Sequence, residues 1–101
     1  MSSTPGQPTS VETASSVTVH YWAAARSAAG TDSDTFVVDG PVTLRDVLRM
    51  VTTARPSPEL LRVLDACAML VGDRPVGARS PDDVVVQMGE TVEFLPPFAG
   101  G

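Results

Sequence analysis

This chain contains no lysine: all seven of its positive charges are arginines. No side-chain amine is therefore present to form a Schiff base or to accept an isopeptide bond. The formal net charge is −5, a surface that repels phosphate backbones and excludes nucleic acid as the expected partner. A basic protein surface suits it better. Cysteine is nearly absent too. Cys67 stands alone, which excludes an internal disulfide and any multi-cysteine metal site. Flanked by alanines in "DACAMLVG", it reads as a small buried residue at the start of a core strand. No apolar run approaches the ~20 residues of a membrane span. The opening "MSSTPGQPTSVETASS" has neither the basic n-region nor the apolar h-region of a secretory signal, so the expected compartment is the cytoplasm.

Catalytic patterns are equally scarce. There is no phosphate-cradling G-x-G-x-x-G or G-x-x-x-x-G-K-[ST], and no G-x-S-x-G elbow. The one histidine, His20, lacks a partner in sequence to orient it as a general base and reads as a surface residue. Asp82 and Asp83 are the only adjacent carboxylates. In an extended stretch such neighbours point to opposite sides, so they read as a solvated loop rather than a metal site. Trp22 reads as a residue that packs or caps a sheet edge. No metal site and no bound cofactor are expected.

What is present fits one small domain of 101 residues. Residues 1–16, rich in Ser, Thr, Pro and Gly, bury too little to offset the entropy of ordering and read as a disordered extension. Val17, Val19 and Tyr21 alternate with Thr18, His20 and Trp22, the period of a half-buried strand. "AARSAAG" predicts a short helical turn ended by Gly30, and "DTFVVD" a second strand, hairpin-like beside the first. Thr43 and Asp46 form a capping-box pair ahead of a helix whose Leu44, Val47, Leu48 and Val51 make one apolar stripe. Pro56 ends it. Ser57 and Pro58 start another helix, with Leu60, Leu61 and Leu64 facing inward. "CAMLVG" predicts a central strand buried on both faces, "DRPVG" an edge strand, and "ARSPDDVVVQMGE" a polar connection. "TVEFL" closes the domain, with Val92 and Phe94 inward and Glu93 outward. The order predicts an α+β fold, a single helix across a small mixed sheet.

The chain then runs "FLPPFAGG". Pro96 and Pro97 fix φ and remove two donors, so the sheet stops at Leu95 and the exit is stiffened. Six residues at ~3.3 Å each carry Gly101 roughly 20 Å outward. Gly100 and Gly101 have no Cβ and can pass a channel too narrow for other residues. The arrangement fits a C-terminal carboxylate delivered into another protein's active site. Such a carboxylate reacts only after activation, most simply as a mixed anhydride with AMP from ATP, which a sulfur nucleophile converts into a thiocarboxylate.

"MGETVEFLPPFAGG" resembles the C-terminal signature of molybdopterin synthase small subunits within the MoaD/ThiS sulfur-carrier family. The opening strand running into "AAARSAAG" is similar to the family's opening as well, and the resemblance spans residues 17–101. It implies a ubiquitin-like β-grasp domain over residues 17–95 and a sulfur-carrier tail over 96–101. It further implies a Gly101 thiocarboxylate, formed after adenylation by a ubiquitin-activating-like adenylyltransferase that uses ATP and supplied through a sulfur-donor protein. The tail would enter the large, catalytic subunit of molybdopterin synthase in a heterotetramer and pass sulfur to cyclic pyranopterin monophosphate. The chain itself would be non-catalytic. Position by position, Gly100 and Gly101 enter the partner together with Ala99. Phe98 fills an apolar tail position, Pro96 and Pro97 set the exit, and Leu95 meets the partner surface. Carriers for thiamine thiazole, cysteine or tRNA thiolation, a ubiquitin-like protein modifier and an inert interaction module are the other readings of the same tail.

Overall fold

The computed structural model describes residues 15–97. Strand β1 spans Ser16–Tyr21, one residue ahead of the expected start, and buries Val17, Val19 and Tyr21 on one face as the alternation requires. Helix α1 follows at Ala23–Ala29. It stops at Gly30, whose φ of 79° is open to glycine and strained for other residues, and whose N–H donates to the Arg26 carbonyl. Strand β2, Ser33–Val37, returns antiparallel to β1.

Two longer helices come next. Helix α2, Leu44–Ala54, begins with the expected capping box. The Thr43 hydroxyl accepts from the Asp46 N–H at 3.1 Å, and the Asp46 carboxylate accepts from the Thr43 N–H at 3.1 Å. Those hydrogen bonds from Thr43 hold the Asp46 carboxyl below its ordinary range. Helix α3, Pro58–Ala66, is capped by Ser57, which accepts from the Leu60 N–H. Strands β4 (Ala68–Val71), β5 (Arg74–Pro75) and β7 (Thr91–Leu95) complete a five-stranded sheet of order β2-β1-β7-β4-β5. Only β1 and β7 run parallel. Val17, Val19, Tyr21, Val92 and Phe94 from the sheet meet Ala25, Leu44, Val47, Val51, Leu60 and Leu64 from the helices in one core. This is the expected β-grasp architecture.

Five details differ from the sequence expectation. Three helices, rather than one, contribute to the core. Leu61 is exposed, because the inward stripe of α3 passes through Leu60 and Leu64 and leaves a neighbour of Leu60 outside. "CAMLVG" is not buried on both faces. Of β4 only Val71 is buried, because the helices cover one face of the sheet and β5 beyond it is two residues long. Cys67 precedes the strand, half-buried as the C-cap of α3. The "polar connection" also carries structure. Pro81–Asp83 form a 3-10 turn, and β6, Val85–Val86, pairs with β3, Val42–Thr43, in a second small sheet that buries Val84 and Val86. Two-residue strands have no periodicity to read.

One polar network ties the elements together. The Asp34 carboxylate accepts from Arg55 Nε at 2.6 Å, from Arg55 Nη2 at 2.8 Å and from the Tyr21 hydroxyl at 2.8 Å. Arg55 Nη1 also donates to the Ala29 carbonyl at the end of α1. Residues from β1, β2, α1 and the end of α2 are thus joined through one bidentate ion pair. The hydrogen bonds from Arg55 hold the Asp34 carboxyl below the usual range, while burial and the neighbouring carboxylate push the Tyr21 phenol up.

The sign of the pH dependence follows. A lowered carboxyl pKa contributes stability that is complete above the unfolded value, ~4, and is lost as acid titrates Asp34 below it. A raised phenol pKa contributes below ~10 and is lost as pH rises beyond. Asp34→Asn is expected to cost roughly 1.5–3 kcal/mol at neutral pH, the worth of hydrogen bonds to a charged group. It is also expected to flatten the acid limb of a stability-against-pH curve measured by urea unfolding. An unchanged acid limb would remove Asp34 as its source.

Candidate functional site at the end of strand β7

The parallel pairing of β1 with β7 decides where the tail leaves. Tyr21 lies opposite Phe94 in register, so both strands end at the same border of the sheet. Their rings stack 6.1 Å apart and 10° from parallel, within the core. Immediately beyond, Trp22 grips the end of β7 twice. Its backbone N–H donates to the Phe94 carbonyl at 3.1 Å, and its indole Nε1 donates to the Glu93 carboxylate at 3.1 Å. The Trp22 carbonyl in turn accepts from the Ala25 and Arg26 N–H groups at the start of α1. Ala23, the first residue of α1 and the next after the grip, holds φ at 50°, a left-handed conformation that L-residues with side chains rarely adopt. Backbone strain of this kind persists only where its surroundings fix it, here at the root of the tail.

Leu95, half-exposed, is the last residue of β7 and lies opposite Ala68. Pro96 and Pro97 follow, outside the strand and exposed. The sheet therefore ends where the double proline required. Phe98, Ala99, Gly100 and Gly101 lie outside the described residues, so the tail positions assigned to them from sequence are not seen here. Beside the prolines a cleft of about 430 Å³ opens between α1 and α3. Trp22, Ala25, Ala66 and Cys67 are on its walls, along with Pro96 and Pro97 themselves. Burial pushes the Cys67 thiol up from its ordinary pKa, opposite to what a nucleophilic cysteine needs.

The other sequence candidates lie elsewhere or serve other ends. His20 is half-buried on the open face of the sheet, its ring 6.5 Å from that of Trp22 and its backbone in register with Glu93. Asp82 and Asp83 sit in the 3-10 turn rather than in an irregular loop. Asp82 pairs with Arg45 at 3.1 Å, and the Asp83 carbonyl accepts from Arg79. Among the described residues no three His, Cys, Asp or Glu side chains gather closely enough to hold a metal ion. None of their helices is long and apolar enough to cross a membrane. The grip of Trp22 on Glu93 joins residues 71 positions apart. Sequence placed Trp22 at a sheet edge but offered no signal for its partner.

Fold and site together define a small β-grasp domain whose last strand, β7, lies at the centre of its sheet and ends at a double proline. The chain belongs to the ThiS family, whose model matches residues 19–101. It is thus one of the ubiquitin-like sulfur-carrier and modifier proteins, a family of small carriers that work with catalytic partners. No curated protein sequence matches it. Among solved structures, the Haloferax volcanii HVO 2177 protein is similar at 26% identity with a TM-score of 0.66, over 85% of this chain and 86% of that one. The small archaeal modifier protein 1 from Methanosarcina acetivorans shares the fold at 21% identity and a TM-score of 0.65, over 86% and 97% of the two chains. A chain of the complex between subunits 1 and 2 of the Helicobacter pylori molybdopterin-converting factor does so at 19% identity and a TM-score of 0.57, over 85% and 99%.

Proposed function

We propose that this protein is the sulfur-carrying small subunit of a molybdopterin synthase. The observation that carries the reading is the exit of β7 at the border it shares with β1. There Trp22 fixes the strand end, Pro96 and Pro97 stop the ladder, and the family match continues through Gly101. The chain's part in the chemistry is to present one carboxylate. An oxygen of the Gly101 carboxylate attacks the α-phosphorus of ATP in an activating adenylyltransferase, and pyrophosphate leaves. Hydrosulfide supplied through a donor protein then adds to the acyl carbon, the acyl–phosphate bond breaks and AMP leaves, and loss of the S–H proton gives the thiocarboxylate. ATP belongs to the activating enzyme and no cofactor is held by this chain. The large subunit supplies the catalytic side chains and receives Gly100 and Gly101 in a narrow channel, with Ala99 and Phe98 behind them and Leu95 against its surface. The acceptor is cyclic pyranopterin monophosphate. The double proline supports this acceptor over thiamine thiazole.

Intact mass tests the reading. The purified chain is incubated with ATP, an activating enzyme and sulfide. The expected product gains the mass of one oxygen exchanged for sulfur, and the variant lacking Gly101 does not. A mass that stays unchanged, with an activating enzyme shown competent on another carrier, would leave an inert interaction module. A ladder of high-molecular-weight conjugates on a denaturing gel would instead mark a protein modifier.

A further inference from the structure

We propose that the cleft between α1 and α3 is a seat for the chain's own Phe98, so that the tail alternates between a docked and a delivered state. Three observations lead there. The cleft is mostly apolar, lined by alanines of both helices, by Val63 and by Trp22, which is itself 44% exposed. Glu59 and Arg62 stand on its α3 side, and Pro96 and Pro97 form the wall where the described chain ends, so the next residue starts one Cα step, ~3.8 Å, from that wall. Of the four residues that follow, only Phe98 carries a large apolar side chain. A phenyl group left in water beside an apolar cleft of about 430 Å³ gains by entering it. Ala99, Gly100 and Gly101 add no bulk that would oppose the turn.

The seat itself stands without the sulfur-carrier reading; its consequence rests on that reading. A partner that takes the extended tail must first draw Phe98 out, so its apparent affinity falls by the fraction of chains that are docked. A surface that fills the cleft with a side chain of its own would release the tail and favour delivery.

Two reporters already line the cleft: Trp22, the only tryptophan, and Cys67, the only cysteine. The experiment compares the full chain, Phe98→Ala, a chain ending at Pro97 and a chain lacking only Gly101. Circular dichroism and thermal melts establish that all four fold alike. In the full chain, alkylation of Cys67 by iodoacetamide is expected to be about fivefold slower than in Phe98→Ala or the chain ending at Pro97, the protection given by a mostly docked state. Trp22 emission is expected at shorter wavelength and less quenched by acrylamide. The chain lacking Gly101 should keep both signs of docking while losing sulfur loading, which separates this proposal from the carrier reading. Equal alkylation rates and equal emission in all four chains would overturn the seat. Protection that grows with protein concentration would place a second copy in the cleft and overturn it as well.

Discussion

Adding one residue after Gly101, or replacing Gly101 by alanine, is expected to lower sulfur transfer by more than about a hundredfold while the melting temperature stays unchanged. An added residue displaces the carboxylate by up to ~3.3–3.6 Å along an extended chain. A misplacement of only about 1 Å at a reacting atom can cost a hundredfold. Alanine introduces a Cβ where, on the proposed function, the tail threads a passage sized for glycine. Neither change touches Val17, Val19, Val92 or Phe94, which form the sheet's share of the core, so stability should move by no more than about 0.5 kcal/mol. Single-turnover transfer from pre-loaded carrier separates this steric effect from a failure to be adenylated. If either variant kept full activity in both steps, the threading argument would be wrong.

Phe94→Ala should have the largest effect on stability. Phe94 is fully buried, stacks on Tyr21 and lies opposite it in the parallel β1–β7 pair. Truncating a buried phenylalanine typically costs about 3–5 kcal/mol. A small domain has only about 5–15 kcal/mol in total, so the variant should unfold at low urea or fail to accumulate. Leu95→Ala, one residue later, provides the contrast. Leu95 is half-exposed on the other face of β7, so its loss should leave the urea midpoint nearly unchanged and weaken association with the proposed catalytic partner instead. Similar urea midpoints for the two variants would show that the core does not depend on the Tyr21–Phe94 stack.

Both expectations meet at the border where β1 and β7 end together. That border also explains why Trp22, rather than a residue near the tail in sequence, fixes the tail's root. Its two hydrogen bonds reach Glu93 and Phe94 from the opposite end of the chain. Glu93→Gln would keep an acceptor for the indole, whereas Glu93→Ala would remove it, so the pair isolates that contact.

Much of the architecture was legible locally. The alternation of Val17, Val19 and Tyr21, the Thr43–Asp46 capping box, the Ser57–Pro58 helix start and the halt at Pro96 each depend on neighbours within four residues. Those elements appear where their residues required. The exposed Leu61 shows the limit of such reading. An apolar residue beside the stripe looks like part of it until the helix is placed against its sheet. The β3–β6 pair was invisible for a different reason, because two-residue strands are defined by a partner more than forty positions away and by no pattern of their own.

By itself, then, the sequence determined the helices, the principal strands, the stiff exit and a tail ending in two glycines, because each rests on short-range sterics and hydrogen bonding. Only the tertiary structure decided that β7 inserts between β1 and β4, that Asp34 joins Arg55 to Tyr21, and that the prolines border a cleft shared by α1 and α3. Those contacts join residues far apart in the chain, and what selects among them is the burial of one common core, which no local pattern specifies.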